Sequence, residues 1–285
     1  MKLSLILASV GRTQEPQRLI GSLVAQSSRA FELLVIDQNA DDRLLPAVAS
    51  AFAAGLTVSH LRLSPPNLSA ARNLGIRMAV GEFLAFPDDD CWYDTDTVAA
   101  VLLAFEQQPH YSGLVTQWVE QSERDPTPPV AGPLVEQDWR RFRGGDASTI
   151  SLFLRTDLVR DLGGFDERLG VGRWFGGGEE TDFVLRALAA RAALGRCPQA
   201  HVHHLFWPHP GAQPGLDFQV LRTRARGTGA LYRKHRLAWT VVLRGLVAPP
   251  IKALLARRGL KALWLGLAVS TGRLEGAVKW AISER

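Results

Sequence analysis

Residues 81–93 read GEFLAFPDDDCWY, an apolar run that enters three consecutive aspartates and leaves through an aromatic pair. The apolar part is typical of a buried strand, so Asp88, Asp89 and Asp90 would stand at the carboxyl end of that strand. Three adjacent carboxylates repel one another unless something positive lies among them. The remaining sequence must therefore supply a positive partner for this triplet.

The chain before the triplet alternates between strand patterns and helix patterns. Apolar runs at residues 2–8, 31–37 and 56–63 predict three further buried strands, and helical periodicity is found at about residues 16–26 and at 67–81. Repeated strand, helix, strand units predict an α/β fold with a mostly parallel, doubly wound sheet flanked by helices.

Three polar clusters fall at the ends of predicted strands, at residues 9–12, 37–39 and 88–90. Ligands of such a sheet lie beyond the carboxyl ends of its strands, so we expect the clusters to converge on one rim. Taken alone, the triplet fits a helix cap, a solvated turn or a divalent cation site. The convergence favours Mg²⁺ or Mn²⁺, because a cation relieves the repulsion and a bound diphosphate completes its coordination.

Four segments together resemble glycosyltransferase family 2, whose members have the GT-A fold, a Rossmann-like and mostly parallel sheet flanked by helices. The resemblance runs through roughly residues 1–205 and is carried by LSLILASVGR (3–12), FELLVIDQN (31–39), residues 67–93, and LGGFDERLGVGRWFGGGEETDFVLRAL (162–188). It implies a hexosyltransferase domain over residues 1–215 that takes its sugar from a nucleotide-sugar donor.

The resemblance places the donor diphosphate on a Mn²⁺ or Mg²⁺ ion at the DxD motif, which Asp88 and Asp90 match. It implies that the nucleotide is bound by the first-strand loop, the residues after the second strand, a helix arginine and the triplet: Ser9, Gly11, Arg12, Asp37, Asn39, Arg72, Asp88 and Asp89. The family often has a second aspartate after Asp37, where this chain has Gln38. Arg72 is equally consistent with an ordinary arginine on a helix surface.

The segment GGGEETD at residues 176–182 matches the family's Glu-Asp motif at the start of an acceptor-side helix. The resemblance implies that Glu180 is the general base, with Glu179 as the alternative, that Asp182 orients the loop or the acceptor, and that the anomeric carbon is inverted. Carboxylates also favour a helix N-terminus without any catalytic role, but that explanation leaves the preceding glycines unexplained. Trp174 and Phe175 would stack on an acceptor sugar or fill the core.

Histidines cluster in HVHHLFWPHP at residues 201–210, at spacings that match no familiar zinc pattern. The resemblance implies that one of them completes the metal shell, and His204 is the first candidate; four ordinary loop histidines are the alternative. The two cysteines, Cys91 and Cys197, indicate a reducing compartment, so we expect a cytoplasmic protein. The opening apolar run is short and is interpreted as a strand rather than a signal peptide.

Basic charge is concentrated at the C-terminal end of the chain. Residues 218–285 contain 14 Lys or Arg and 2 Asp or Glu, a net charge of +12, whereas the first 217 residues contain 19 and 26, a net charge of −7. The apolar runs at 237–251 and 260–270 are too short to span a bilayer. The pattern therefore predicts a basic, amphipathic helical unit over residues 216–285.

We expect this C-terminal unit to associate with the inner face of the cell membrane. Trp239 and Trp264 would lie at the membrane boundary, and Arg257, Arg258 and Lys261 would face anionic headgroups. A helical subdomain packed on the sheet is the alternative, and nucleic acid is disfavoured because no recognised nucleic-acid module is present. A membrane-surface unit suits a lipid-linked acceptor, although a saccharide acceptor is equally compatible.

Two other functions are compatible with the same sheet. A sugar nucleotidyltransferase would use the same metal carboxylates, but it has no obvious use for GGGEETD. The second alternative is a nucleotide-sugar-binding protein that has lost activity. It stays open because Gln38 and Glu180 each stand where the family more often has aspartate.

Overall fold

The computed structural model describes residues 1–120, 131–143, 147–204, 217–257 and 259–284. The strands of these ranges are β1 (Leu3–Ser9), β2 (Phe31–Asp37), β3 (Thr57–Arg62), β4 (Phe83–Ala85), β5 (Cys91–Tyr93), β6 (Gly113–Glu120), β7 (Leu152–Arg155) and β8 (Leu194–His204). The helices are α1 (Gln14–Val24), α2 (Leu45–Ala53), α3 (Leu68–Met78), α4 (Thr97–Gln107), α5 (Glu136–Arg140), α6 (Thr156–Asp161), α7 (Glu179–Ala189), α8 (Phe218–Lys234), α9 (Trp239–Leu255) and α10 (Gly259–Ser283).

The strands form one sheet in the order β3-β2-β1-β4-β7-β6-β8-β5. The half made of β3, β2, β1 and β4 is entirely parallel, as the repeated strand and helix pattern predicts. In the other half, β7 runs antiparallel to both β4 and β6, and β5 runs antiparallel to β8. The α/β prediction is confirmed, with a sheet that is mixed beyond β4.

The fourth predicted strand is shorter than the apolar run that suggested it. β4 ends at Ala85, since Pro87 has no N–H to donate to a ladder. The backbone of Asp88 then pairs once more with Ala8 of β1 in an isolated parallel bridge. This single contact fixes the triplet against the end of the first strand.

Apolar cores cover both faces of the sheet. Leu3, Leu5 and Leu7 of β1 point into a core shared with α1 and α4, whereas Ile6 points into a second core shared with α3 and α7. Burial on both faces explains why β1 and β2 are almost continuously apolar. Cys91 and Cys197 are buried free thiols.

The C-terminal helices pack against each other through glycines. Any Cβ at Gly272 or Gly276 of α10 would meet the carbonyl of Arg222 or Arg226 of α8, so these two helices run in the same direction in close backbone contact. α9 returns in the opposite direction beside α10, because Gly266 of α10 meets Pro249 of α9. Within the described residues, no helix is long and apolar enough to cross a membrane.

α8 and α10 also pack on the α/β unit. The ring of Trp280, on α10, is fully buried and lies 5.3 Å from the ring of Phe175 in the glycine-rich loop. Lys234 of α8 donates to the carboxylate of Asp166 at 2.7 Å. The expected C-terminal helical unit therefore has a face that packs on the sheet domain, as in the alternative interpretation of the sequence.

Replacing Gly229 with alanine is expected to destabilise the protein by about 1 to 3 kcal/mol, because the new methyl group would overlap the carbonyl of Arg273 on α10. The measurement is the free energy of unfolding from urea denaturation. Gly21→Ala is the matched control: a Cβ there meets no atom within 4 Å, so helix propensity should stabilise α1 by a few tenths of a kcal/mol up to about 1. Equal stability of both variants would contradict the close helix contact.

Candidate active site

The first two polar clusters meet at the ends of β1 and β2. The backbone N–H of Gly11 donates to Oδ1 of Asn39 at 2.6 Å, and Gly11 has a φ of 78°, which favours glycine. Asn39 in turn donates its backbone N–H and its side-chain amide to Oδ1 of Asp37, at 2.9 and 2.8 Å. Asp37 is fully buried and also lies 3.0 Å from the imidazole of His60.

The middle aspartate of the triplet points inward. The hydroxyl of Ser9 donates to Asp89 at 2.6 Å and the guanidinium of Arg12 donates to it at 2.8 Å. Burial raises the pKa of Asp89 to about 6, although the charge of Arg12 and the hydrogen bond from Ser9 oppose that rise. Asp89 therefore ties the first cluster to the third.

Asp88 is bound by an arginine that also reaches the second acidic segment. Arg72 of α3 is 2% exposed and donates to Oδ1 of Asp88 at 2.9 Å, to Oε1 of Glu179 at 3.3 Å and to the hydroxyl of Thr149 at 3.0 Å. Arg72 is thus the positive partner of the triplet on this side. It is a buried link between two acidic clusters, and not a surface arginine of α3.

Asp90 lies against His204, whose Nε2 is 3.0 Å from Oδ1 of the carboxylate. Arg12 pairs with the same carboxylate. Burial alone would raise the pKa of Asp90, but the hydrogen bond and charge of His204, together with Arg12, hold it well below its ordinary value. Arg12 is therefore a second positive partner of the triplet, and His204 lies directly beside Asp90.

The other histidines of the cluster take different places. His201 and His203 both contact the carboxylate of Asp94, at 3.2 and 2.7 Å, and the ring of His203 stacks on that of Trp92. His209 lies outside the described residues. Of the histidines that are described here, His204 is the one placed at the triplet.

The three glycines before α7 have a packing role. The backbone of Gly177 touches Gly227 of α8, and a Cβ on Gly176 would overlap Thr223 of the same helix. Gly178 caps α7 with a φ of 90°. Gly176 and Gly178 are thus required where this loop meets the C-terminal helices, a requirement that helix-terminus electrostatics does not explain.

Glu179 and Glu180 open α7 and face different surroundings. Glu179 is buried and paired with Arg72, whereas Glu180 lines two neighbouring cavities. Burial, and next the repulsion of Glu179, raise the pKa of Glu180 to about 8. A carboxylate with this pKa accepts a proton more readily than an ordinary glutamate.

Asp182 is held away from these cavities. It is fully buried and accepts from Arg186 at 2.9 Å, from His235 at 2.8 Å and from Lys234 at 2.7 Å. Burial opposes the charge, but the hydrogen bond from His235 and the charges of Arg186 and Lys234 hold the pKa of Asp182 below its ordinary value. The geometry gives Asp182 the task of fixing α7 to α8.

The two aromatic residues of the loop also face the C-terminal helices. Phe175 is buried in a small core with Trp280 and Leu231. Trp174 is partly exposed, and the cations of Arg226 and Lys279 lie 4.4 and 3.9 Å from its ring centre. The structure brings neither side chain to the walls of the two cavities that contain Glu180.

The larger cavity has a volume of about 370 Å³ and brings both acidic clusters to one space. Its walls contain the predicted site residues Arg72, Asp88, Glu179, Glu180 and His204. The smaller cavity, of about 250 Å³, shares Trp118, Ser148 and Glu180 with it and is otherwise lined by Trp139, Phe142, Ala147 and Thr181. Glu180 thus stands on the boundary between two adjoining spaces.

Sequence reasoning missed several wall residues, including Trp118, Ser148, Thr149 and Arg224. Trp118 lies on β6, whose sequence GLVTQWVE is rich in β-branched and aromatic residues, a strand signal that could have been recognised. Its ring meets that of His204 edge to face at 5.8 Å. Thr149 carries no sequence signal, because its role depends on Arg72, which is 77 residues away.

The donor atoms near the triplet are of the kind that Mn²⁺ and Mg²⁺ prefer. Asp88 and His204 line the same cavity, and Asp90 is in contact with His204. Carboxylates suit both ions and imidazole suits manganese, with phosphate oxygens as further ligands. Within the described ranges, no group of three or more His, Cys, Asp or Glu converges into a ready-made metal centre.

Comparison with solved structures defines the class of the fold. The chain superimposes on S. aureus TarS 1-349, solved in complex with UDP-GlcNAc, with a TM-score of 0.63 and 15% identity over 95% of this chain and 90% of that one. It is similar to GalNAc-T7, solved with UDP, GalNAc and Mn²⁺, with a TM-score of 0.56 and 14% identity over 83% and 50%. At this identity the likeness shows the fold, which is that of the GT-A glycosyltransferases.

The model of glycosyl transferase family 2 matches residues 4–156. This is more than half of the chain, so the protein belongs to that family. The match confirms the resemblance carried by the strand ends and the DDD triplet. It also favours a family 2 member over the sugar nucleotidyltransferase.

Curated relatives agree with this assignment. The succinoglycan biosynthesis protein ExoM of Rhizobium meliloti is 27% identical over 195 residues, which are 63% of this chain and 59% of the relative. An uncharacterized glycosyltransferase of Haemophilus influenzae is 33% identical over 110 residues, 38% of this chain and 36% of the relative. The chain thus spans less than two thirds of the length of these relatives.

Replacing Arg72 with leucine is expected to reduce the free energy of unfolding by about 3 kcal/mol, because Glu179 would be left buried without its cation. Asp88 is partly exposed and can be solvated by water. The decrease in the free energy of unfolding should therefore lie at the lower end of the range found when buried ion pairs are broken. Arg77→Gln, on an exposed position of the same helix, is the control and should change stability by less than about 0.5 kcal/mol. Thermal or urea unfolding with similar losses for both variants would argue against the link.

Proposed function

We propose that the protein is a metal-dependent, inverting glycosyltransferase that moves a sugar from a nucleotide-sugar donor to a hydroxyl of a saccharide or lipid-linked acceptor. The observation that carries the proposal is the single cavity in which Asp88 and His204 face Glu180. A leaving group held on the DxD side and a base on the opposite acidic segment are the two requirements of such a transfer.

Donor binding is proposed for the rim of the parallel half of the sheet. Asp88, Asp90 and His204 would hold Mn²⁺ or Mg²⁺, which supplies a Lewis acid for the negative charge that develops on the departing diphosphate. Ser9, Gly11, Arg12, Asp37 and Asn39 lie where the base and ribose would sit, and the contacts between their loops support a preformed site. Arg72 holds Asp88 in place.

Glu180 is proposed as the general base. The acceptor oxygen would bond to the anomeric carbon as the bond from that carbon to the diphosphate oxygen breaks, and the acceptor proton would pass to the carboxylate of Glu180. Its neighbour Glu179 is engaged by Arg72, which supports the choice of Glu180. One displacement with one base inverts the anomeric carbon.

The smaller cavity beyond Glu180 is proposed as part of the acceptor site. Trp118, Trp139 and Phe142 give it an aromatic lining suited to sugar faces. Trp174 and Phe175, which the sequence suggests either for acceptor stacking or for the core, face the C-terminal helices instead. The relative ExoM is named for succinoglycan biosynthesis, which supports synthesis of a polysaccharide or glycoconjugate as the role of this chain.

We also propose that residues 216–285 associate with a membrane surface. The C-terminal helices expose large apolar side chains, among them Trp239 at 74% and Trp264 at 62%. Leu254, Leu255 and Leu260 are similarly exposed, with Arg257 and Lys261 close by in the sequence. Apolar residues flanked by cations on interfacial helices favour an anionic bilayer surface.

Calorimetric titration of UDP, GDP and dTDP tests the donor site. One of the nucleotides should bind with Mn²⁺ present, and Asp88→Asn with Asp90→Asn should weaken that binding on the order of 100-fold, because the metal loses its carboxylates. The matched control is Asp96→Asn with Asp161→Asn, two exposed aspartates elsewhere in the chain, which should leave the affinity unchanged. Metal-independent binding, or no binding of any nucleotide, would refute the proposed site.

Glu180→Gln is expected to lower the rate of donor hydrolysis or transfer by roughly 100-fold or more while leaving nucleotide affinity intact. Because the folded protein holds the pKa of Glu180 at about 8 and the base must be ionised, the wild-type rate should rise with pH and level off above that value. A pH–rate profile checks this. Glu179→Gln retains an amide oxygen that can accept a hydrogen bond from Arg72 but removes the charge of the ion pair. A loss of rate confined to that variant, with an unchanged free energy of unfolding, would instead identify Glu179 as the base.

Cosedimentation with vesicles tests the membrane proposal. The protein should bind phosphatidylglycerol vesicles more than phosphatidylcholine vesicles, and Trp239→Ser with Trp264→Ser should reduce binding about tenfold. Phe52→Ser with Val80→Ser removes two equally exposed apolar side chains from the α/β unit and serves as the control. Equal loss in both double variants, or no vesicle binding, would count against the C-terminal helices as the docking unit.

A further inference from the structure

A third cavity has a volume of about 630 Å³. It lies between the C-terminal helices and the part of the sheet domain that follows α5. α8 contributes Tyr232, α9 contributes Arg244, Gly245 and Lys252, and α10 contributes Arg273. Phe142, just after α5, closes it on the side of the sheet domain. The cavity is distinct from the two that contain Glu180.

The lining of this cavity is cationic. Arg244, Lys252 and Arg273 all belong to it, and its described lining residues include no aspartate or glutamate. The charges act on the buried phenol as well: burial raises the pKa of Tyr232, and Arg273 and Arg244 oppose that rise. A cavity wall that contains three cations and no carboxylate is unusual, because like charges that are not neutralised repel one another.

Arg273 has hydrogen-bonding capacity that the described residues leave unused. One of its terminal nitrogens donates to the carbonyl of Gly245 at 2.5 Å, whereas its Nε is buried without a hydrogen-bond partner in the described part of the chain. A buried donor without a partner destabilises the folded protein, so an acceptor atom brought by a ligand would relieve that cost.

The cationic cavity adjoins the proposed acceptor site. Phe142 lines both this cavity and the smaller cavity that contains Glu180. Its φ is 52°, in the left-handed region, and its ring packs edge to face against Tyr232 at 5.6 Å. One aromatic side chain therefore separates the cations from the space next to the proposed base.

We propose that this cavity binds a phosphoryl group, and that the group belongs to the acceptor, whose hydroxyl then lies on the Glu180 side of Phe142. The assignment to the acceptor rests on the proposed function; the anion site itself does not. Guanidinium groups match phosphate oxygens with paired N–H donors, and three cations suit a phosphodiester or diphosphate better than a single carboxylate charge. The net charge of +12 on residues 218–285 attracts such a ligand from a distance.

Inorganic pyrophosphate, titrated calorimetrically into the full chain in EDTA, is the probe. Removing divalent ions takes the proposed donor site out of the measurement. Wild-type protein should bind one pyrophosphate, and Arg244→Gln with Lys252→Gln should weaken that binding at least tenfold; both side chains are solvent-exposed, so the variant is expected to fold. Arg77→Gln with Arg233→Gln removes the same charge from exposed positions outside the cavity and should change the affinity less than twofold.

Absence of pyrophosphate binding, or equal weakening in both double variants, would overturn the site. Two further measurements identify the source of the phosphate and separate this proposal from the donor site. If Arg244→Gln with Lys252→Gln loses phosphatidylglycerol vesicle binding while the control variant keeps it, the cavity is assigned to a lipid headgroup. That outcome would overturn the acceptor assignment. Vesicle binding that stays intact while pyrophosphate binding is lost supports the acceptor.

The nucleotide titration with Mn²⁺ is then repeated on the same variants. Nucleotide affinity should be unchanged in Arg244→Gln with Lys252→Gln, because the cavity is separate from the triplet. If no nucleotide binds the wild-type protein while pyrophosphate still binds in EDTA, the proposed donor site fails and the anion site stands.

Discussion

The buried guanidinium of Arg72 is the interaction on which the arrangement of the cleft depends. It contacts Asp88 after β4 and Glu179 at the start of α7, two residues 91 positions apart in the chain. Bringing those carboxylates together without a cation would cost several kcal/mol in repulsion and desolvation. One residue of α3 thus allows the end of the sheet and the start of a distant helix to face the same space.

A second set of contacts fixes α7 from the other side. Asp182 pairs with Lys234 and His235 of α8, and Gly177 lies directly against Gly227. Glu180 stands between these two attachments, with Arg72 before it and Asp182 after it. The C-terminal helices therefore take part in positioning the proposed base, even though none of their residues was predicted to do so.

The sequence was sufficient for the parallel half of the fold and for the place of the site. Strand ends at Ser9, Asp37 and Asp88 converge as the alternating pattern predicts, because parallel strands share one rim. It was insufficient where a position depends on distant partners. The antiparallel insertion of β7 between β4 and β6 is one such case, and the inward turn of Asp89 toward Arg12 is another.

The glycine-rich loop shows why a motif can be located correctly and explained incompletely. Residues 176–178 do precede the acidic helix start as the family resemblance implies, yet Gly176 and Gly178 are needed because a Cβ on either would crowd α8. The physical reason lies some 50 residues further along the chain, at Thr223 and Gly227, where no local pattern announces it. Likewise, the positions of Trp174 and Phe175 depend on contacts with α8 and α10, which come later in the chain.

The contact between Gly177 and Gly227 has a consequence for how such a protein can change over evolutionary time. A Cβ on Gly227 would overlap the backbone carbonyl of Gly177, so no side-chain substitution in the loop can compensate for a side chain on Gly227. Exchanging the C-terminal helices for those of another transferase would also leave Asp182 buried without Lys234 and His235. The loop and the helices are therefore inherited as one unit, and a recombination point between them would separate halves of a single interface.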